Sequence, residues 1–395
     1  MNNISIIGLG YVGLPLAIAA IESGNNVYGI DSNKNKINSL KNGINFVEDI
    51  SNDLLAKVIK TGRLNLSSDY SSIQSSNVVI ICVPTPLLNK EPDLSNVMKA
   101  AFEISKFIKK NTLVILESTV QPGTTRNILN KILLKNSGLS QDDIYVAFSP
   151  ERIDPLNKIW NLKNTPKIVS GLTKEAHIKA VKFYSTIIED IVECESVEVA
   201  ETAKLLENSF RFINISFINE LSFFCNKIGI EINDVIAAAA TKPYGFMPFY
   251  PGIGIGGHCI PVDPLYLLAK AREVGVTSKF IELADEVNMN LPLHFVEIAK
   301  NKIGELKSKK IIVIGVSFKP NISDTRETPV LNLIKMLKNN GADVYWHDDL
   351  VMEWNDEKST VLSDKFDLAI IAVQHDYLDL TKLGKVPIIN SRNSI

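Results

Sequence analysis

The stretch ISIIGLGYVG, residues 4–13, decides the fold. A short apolar, β-branched run leads straight into Gly8, Gly10 and Gly13, spaced GxGxxG, and the residues after Gly13 read as a helix. In a strand–turn–helix, the first glycine permits the tight turn and the second lets a pyrophosphate approach the backbone. The third lets helix and strand pack closely. The free N–H groups and the dipole at the helix start then favour an anion. The next strand candidate, NVYGID (residues 26–31), ends on Asp31, about where a ribose 2′-OH would lie. A carboxylate there repels a 2′-phosphate, so NAD is expected over NADP, with Lys34 and Lys36 close behind as a counter-argument.

Further along, VVIICV (78–83), TLVILES (112–118) and YVAFSP (145–150) continue the strand series, separated mostly by longer amphipathic segments. That alternation predicts a doubly wound parallel sheet. From about Ala200 the texture becomes helical, without Gly or Pro before Gly229, and predicts one long helix from Val199 to Ile228. A helix of about 45 Å would link two domains and could carry a subunit interface. A second helix is expected over Ile232–Ala240. After it come the Gly/Pro-rich loop PYGFMPFYPGIGIGGHCIPVDP and helices to about Ile303. At Lys309 the pattern restarts: KKIIVIGVSFK, a helix over Pro329–Asn340, GADVYWHDD, FDLAIIAV and VPIINS. The echo of the N-terminus lacks the three glycines. The expected class is α/β: two Rossmann-like parallel-sheet domains joined by a central helical region with one long helix. The boundaries fall at 1–195, 196–305 and 306–395.

A chain of 395 residues, 45% hydrophobic, fits two or three domains with sizeable cores. Lys+Arg 42 against Asp+Glu 44 gives net charge −2, which argues against a nucleic-acid surface. No apolar run reaches membrane-spanning length, and no signal peptide is expected. Cys82, Cys194, Cys225 and Cys259 are scattered without a CxxC pair, so neither a metal cluster nor a disulfide framework is indicated. A reducing, cytoplasmic location suits free thiols.

Cys259 ends a loop with glycines at 252, 254, 256 and 257, which let backbone wrap a ligand closely. A buried structural thiol is the competing reading for it, while Cys82, inside a strand, and Cys225, inside a helix, read as core. Lys204 and Asn208 share a helix face, which matters only if that face lines the Cys259 loop. Thr85 and Thr119 follow strand ends in the ligand crevice. FSPERIDP (148–155) brings Glu151 and Arg152 to the same edge. Lys319 and Arg326 flank a polar turn before a helix; they suit a phosphate or serve as ordinary surface charges at a capped helix start.

With GLGYVGLP, ESTVQPGTT, FSPERIDP, AKLLENSFR, GIGGHCIPVDPLYL and SFKPNISDTRETP all in order, the chain resembles the UDP-glucose/GDP-mannose dehydrogenase family over nearly its whole length. The resemblance implies an NAD-binding domain, a central helical dimerisation domain and a nucleotide-sugar-binding domain. It implies a cytoplasmic homodimer or higher homo-oligomer that oxidises the C6 hydroxymethyl of a UDP-sugar to a carboxylate, for surface polysaccharide or glycan synthesis. Cys259 resembles the nucleophile that adds to the intermediate aldehyde and carries the thioester. Lys204 looks like the lysine that stabilises the oxyanion, helped by Asn208. Asp263 looks like the aspartate that positions water, and Glu151 like the glutamate of thioester hydrolysis. By the same resemblance, Gly8, Gly10, Tyr11, Val12, Gly13, Asp31, Lys36, Thr85, Thr119 and Arg326 contact the cofactor. Arg152, Ile153, Lys204, Asn208, Arg211, Tyr250, Gly256, Phe318 and Lys319 contact the sugar nucleotide. No metal is implied.

Departures refine the substrate. Val262 stands where UDP-glucose dehydrogenases usually have Lys, as in the branch acting on N-acetylated hexosamines. TKPYGFMPFYPG lacks the His and Arg typical of mannosamine enzymes and looks like UDP-N-acetylglucosamine 6-dehydrogenases. Ile253, Leu156 and Asn390 depart from the expected Pro, Gly and Asp, and the short C-terminal end bears on Arg392. The alternatives are the same chemistry on UDP-N-acetylmannosamine, UDP-N-acetylgalactosamine or UDP-glucose, a two-electron hydroxyacid dehydrogenase of the 6-phosphogluconate type, and a non-catalytic sensor of NAD or nucleotide sugar. The second α/β region from Gly315 to Asp348 argues against the hydroxyacid enzyme, and the set Cys259, Lys204, Asn208 and Asp263 against the sensor.

Overall fold

A computed structural model describes residues 2–47, 50–154, 157 and 159–392. The chain divides into two compact units, Met1–Leu206 and Glu207–Ile395.

The first unit holds strands β1 (Asn3–Ile7), β2 (Asn26–Ile30), β3 (Leu64–Ser67) and β4 (Val78–Ile81). After a small hairpin, β5 (Leu87–Leu88) with β6 (Glu91–Pro92), come β7 (Leu113–Leu116), β8 (Tyr145–Phe148), β9 (Lys167–Gly171) and β10 (Ile191–Glu193). The main sheet runs β10-β9-β8-β7-β4-β1-β2-β3. β1 pairs in parallel with β2 through Ile4↔Val27 and with β4 through Ile4↔Val78. The strand order therefore reverses between β1 and β4, where an open α/β sheet leaves a crevice at its carboxyl edge. Helices α1 (Gly13–Glu22), α2 (Lys34–Lys41), α3 (Asn52–Lys60), α4 (Ser95–Ser105), α5 (Asn130–Ser137) and α6 (Lys174–Tyr184) accompany the strands. Asn33, Ser51 and Thr173 cap α2, α3 and α6 through their side-chain oxygens. One core joins Ile4, Ile6, Leu14, Ala17, Ile80, Ile115 and Tyr184.

Two corrections apply. β3, β9 and β10 escape the sequence pattern, because LNLS and IVE are short and half exposed and KIVSG has only two β-branched residues, Ile168 and Val169. The sheet is also not wholly parallel: β9 runs antiparallel to β8, with Ala147 opposite Gly171. A parallel return needs a crossover, usually a helix, and among the described residues between β8 and β9 there is none.

The long helix, α7, spans Val197–Lys227, two residues earlier at its start and one at its end than expected, and the unit boundary falls within it. The second unit continues with α8 (Ile232–Ala240), α9 (Asp263–Glu273) and α10 (Lys279–Ile303), which keeps a buried proline at Pro292. Then come β11 (Lys310–Ile314), α11 (Val330–Asn339) and β12 (Asp343–His347). A hairpin of β13 (Glu353–Trp354) and β14 (Glu357–Lys358) precedes β15 (Leu368–Ile371) and β16 (Ile388–Asn390). The sheet order is β12-β11-β15-β16, all parallel.

The echo seen in sequence is structural. Gly8 N donates to Ile30 O and Gly315 N to His347 O, both at 2.8 Å. Leu9 N donates to Asp31 Oδ2 at 3.0 Å, and Val316 N to Asp348 Oδ2 at 2.8 Å.

Candidate active site

In the first unit, each fingerprint glycine has its own reason. Gly8 has φ +91°, and a Cβ there would lie 2.5 Å from Cys82 O. A Cβ on Gly13 would lie 1.9 Å from Gly8 O, so helix and turn meet only through glycine. A Cβ on Gly10 would meet nothing within 4 Å, leaving open space above the backbone. No side chain caps the start of α1, where Val12 is the N-cap, and the first turn carries no acid. These N–H groups and that space suit a pyrophosphate. Asp31 is 8% exposed and is oriented by Leu9 N, Asn33 N and Lys36 Nζ, the last at 2.8 Å. Lys36 is thus committed to Asp31, which offsets some of the basic character behind the strand. Tyr11 is half-buried beside this turn. Thr85 is buried, Thr119 is half-buried, and Ser118 Oγ donates to Val83 O at 2.7 Å, tying their two strand ends together.

At the same sheet edge, Glu151, Arg152 and Ile153 are half-buried. The Glu151 carboxylate accepts from Ile153 N, and Arg152 donates to Pro166 O at 2.6 Å. Pro155 and Leu156 lie outside the described residues. Beneath this loop sits a cluster the sequence did not reveal. Lys167 Nζ lies 3.1 Å from Glu117 Oε1 and 3.4 Å from Pro150 O, both side chains being buried, while the Tyr184 hydroxyl donates to Glu117. Burial, then the charge of Glu117, pushes the Tyr184 phenol well above its ordinary value. The antiparallel β9 delivers Lys167 to this edge. On α7, Lys204 is 5% exposed, against the expectation for an isolated surface lysine.

In the second unit, Asn208 and Asp263 are 6% and 3% exposed, and Asn208 Nδ2 donates to Asp263 Oδ2 at 2.5 Å. Asp263 opens α9, and its N–H donates back to Cys259 O at 2.8 Å. Cys259 is exposed, which removes the reading of a buried structural thiol, whereas Cys225 is buried as expected. Cys82 is only half-buried and follows β4 instead of lying inside it. The glycine loop presses on the segment after β11. Cβ atoms on Gly256 and Gly257 would stand 2.9 and 2.8 Å from Phe318, and one on Gly254 2.8 Å from Pro329. The loop's wrapped path therefore depends on glycine, and Ile253 packs into the core beside it. Burial, reinforced by Arg326, lowers the His258 pKa, so its imidazole is neutral at neutral pH.

Phe318 and Lys319 are half-buried in this segment. Arg326 is exposed and forks onto Asp324, with Nε at 2.9 Å and Nη2 at 2.5 Å. Arg211 and Tyr250 are exposed. Asn390 pairs with Gln374 at 3.2 Å and accepts from Arg392 N at 3.0 Å. Asp348, the counterpart of Asp31, is sealed in: burial raises its pKa, but hydrogen bonds from His375, Leu350 N and Val316 N outweigh this and hold it low. His375 Nε2 lies 3.2 Å from Asp348 Oδ2, while its Nδ1 accepts from Asn321 N at 2.8 Å. Among the described residues no group of three or more His, Cys, Asp or Glu is placed to hold a metal. No helix among them is long and apolar enough to cross a membrane.

Known proteins resemble this chain in sequence and fold. Three family models match in order: the UDP-glucose/GDP-mannose dehydrogenase family NAD-binding domain over residues 2–188, its central domain over 198–290, and its UDP-binding domain over 312–393. A UDP-N-acetyl-D-glucosamine 6-dehydrogenase of Salmonella typhi is 36% identical, over 94% of this chain and 89% of its own. A UDP-N-acetyl-D-mannosamine dehydrogenase of Methanococcus maripaludis is also 36% identical, over 88% and 80%. Among solved structures, a UDP-D-ManNAc dehydrogenase from Pyrococcus horikoshii superposes with a TM-score of 0.91 at 31% identity, covering 100% of this chain and 96% of that one. The chain belongs to the UDP-glucose/GDP-mannose dehydrogenase family and is an NAD-dependent oxidoreductase of UDP-sugars.

Proposed function

We propose that the protein oxidises the C6 hydroxymethyl of UDP-N-acetylglucosamine to the uronate through a thioester on Cys259. The observation that carries this is the exposed thiol at the end of a glycine-walled loop, its carbonyl held by the N–H of Asp263, whose carboxylate is in turn clasped by buried Asn208. Bound NAD supplies the hydride acceptor, used twice per sugar. It is held by Gly8, Gly10, Tyr11, Val12, Gly13, Asp31, Lys36, Thr85 and Thr119, with Arg326 as a further contact. The residues of the chain do the rest. Lys204, with Asn208, takes the hydroxyl proton and steadies the oxyanion. The Cys259 sulfur gives up its proton and bonds to C6 of the aldehyde; the resulting thiohemiacetal loses its hydroxyl proton to Lys204 and its C6–H as hydride, so that a thioester remains. Water oriented by Asp263 and deprotonated by Glu151 attacks that carbonyl; the C–S bond breaks, the sulfur regains a proton, and the carboxylate is released. Arg152, Ile153, Arg211, Tyr250, Gly256, Phe318 and Lys319 hold the sugar nucleotide.

The division into 1–195, 196–305 and 306–395 follows the order of the three family models. Phe210, Phe217 and Phe224 are 45%, 57% and 57% exposed at seven-residue spacing on α7. An apolar stripe of that kind supports self-association of the chain.

The glucosamine reading rests on Val262 before Asp263 and on TKPYGFMPFYPG ahead of the glycine loop. UDP-N-acetylmannosamine is the second reading, favoured by the relatives named for it. Counting NADH per sugar over a panel of UDP-sugars tests both. About two NADH per UDP-N-acetylglucosamine, with steady turnover abolished in Cys259→Ser, is expected for a four-electron oxidation. About one NADH per sugar, or an active Cys259→Ser enzyme, would overturn the thioester route. Turnover of UDP-N-acetylmannosamine or UDP-glucose alone would keep the route and replace the sugar.

A further inference from the structure

Glu201 sits one helical turn before Lys204 on α7 and is 0% exposed. Its Oε2 accepts from Gly123 N at 2.6 Å. Its Oε1 accepts from Thr125 N at 2.8 Å and from Thr125 Oγ1 at 2.7 Å. These donors belong to the loop that leaves β7 through Thr119 and enters the helical segment Thr125–Leu129, which continues as α5. Gly123 holds φ +93°, so the loop backbone is left-handed at the point where the carboxylate grips it. The nearby charges are Glu198, one turn earlier on α7, and Arg126, next to Thr125; these two pair with each other at 2.7 Å.

Burying a carboxylate is costly, but an apolar side chain there would leave two buried backbone N–H groups without an acceptor. A carboxylate does something an apolar group cannot: its acceptors fix two backbone N–H groups and a hydroxyl in one geometry. We infer that Glu201 is a positioning residue, locking the Thr119–Thr125 loop to the turn of α7 that precedes Lys204, so that loop and lysine share one frame. This rests on the reading of Thr119 as a cofactor contact and Lys204 as a catalytic group.

Glu201→Gln tests it with little change of volume. Whichever way the amide is turned, its NH2 faces a backbone N–H, of Gly123 or of Thr125, and one hydrogen bond is lost. A protonated glutamate avoids this loss, because it donates to the Thr125 hydroxyl, which reverses. For Glu201→Gln, the NADH dissociation constant measured by fluorescence titration is expected to rise about fivefold, the value of one hydrogen bond. The kcat is expected to fall about tenfold from misplacement, with KM for the UDP-sugar within about twofold. Glu201→Asp, which keeps the acceptors but is one methylene shorter, should fall between.

If Glu201→Gln does not fold, Thr125→Val, which deletes only the hydroxyl bond, should raise the NADH dissociation constant about threefold. A Glu201→Gln enzyme with NADH affinity and kcat within about twofold of wild type, changed only in melting temperature, would make the residue purely structural and overturn the inference. So would a Thr125→Val protein that binds NADH like the wild type, in the case where Glu201→Gln does not fold. The NADH titration needs no sugar, so it decides the inference independently. A wild-type protein inactive on every UDP-sugar would count against the functional reading instead.

Discussion

Asp263 makes one contact the structure shows and has one task proposed for it, and one substitution can separate the two. Its carboxylate clasps the amide of Asn208 at 2.5 Å, and both side chains are nearly enclosed. Asp263→Ala would leave that amide buried without its acceptor, at a cost of about 1–3 kcal/mol. Asp263→Asn keeps an oxygen for Asn208 but removes the charge. If the charge orients water for thioester hydrolysis, Asp263→Asn should lose at least about 100-fold in kcat while staying within about 1 kcal/mol of wild-type stability. Steady-state kinetics beside a thermal melt make the comparison, and near-normal kcat in Asp263→Asn would remove Asp263 from the reaction. Cys259 and Gly8, Gly10 and Gly13 could be singled out from short runs of sequence, and Asp263 from the family resemblance. The sequence did not disclose Glu201, whose partners lie 76 and 78 residues away. Nor did it disclose Lys167, which reaches Glu117 only because β9 turns back along β8.

Elements were legible where a pattern ran long enough to fix their faces. α8 falls at its expected bounds, and α7 shifts by one or two residues. β3 and β10 were hidden by brevity, and the direction of β9 by a connection with no described helix to signal its return. α7 has two faces. Phe212, Ser216, Asn219, Ser222 and Cys225 are buried, while Phe210, Phe217 and Phe224 are exposed. Seven residues bring a helix back to within about 20° of its starting face, so the three phenylalanines form one stripe. Three aromatic rings on one solvent face are costly to hydrate, and a second copy would cover them. The expected wild-type species in analytical ultracentrifugation is a dimer or larger, and Phe217→Glu with Phe224→Glu should shift it to monomer at micromolar concentration. A wild type that sediments as a monomer would leave the stripe without the partner proposed for it.

For the molecule as a whole, pH exposes the strain stored at Glu201. Burial lifts its pKa from the ordinary 4.5 to about 7, against the pull of the three donors from Thr125 and Gly123. A carboxylate raised on folding binds more protons folded than unfolded, so its contribution is fully present below the ordinary 4.5 and is lost as pH rises through about 7. The full loss corresponds to roughly 3 kcal/mol, of which about 1 kcal/mol falls between pH 6 and pH 8. His258 works in the opposite sense, since its lowered pKa makes stability rise as pH climbs through its ordinary 6.5. Asp348, held low, matters only below its ordinary 3.8. The wild-type profile alone therefore mixes opposing slopes, and the informative quantity is its difference from Glu201→Gln, which never ionises. Calorimetry should show the wild type losing about 1 kcal/mol relative to that variant between pH 6 and pH 8, in whichever transition belongs to the first unit. Parallel profiles would mean that the carboxylate is already ionised, or still protonated, throughout that window. The predicted slope means that the fold keeps a charged group in a place that penalises its charge at working pH. Its three hydrogen bonds to the Gly123–Thr125 turn then matter for where they hold the loop more than for the stability they add.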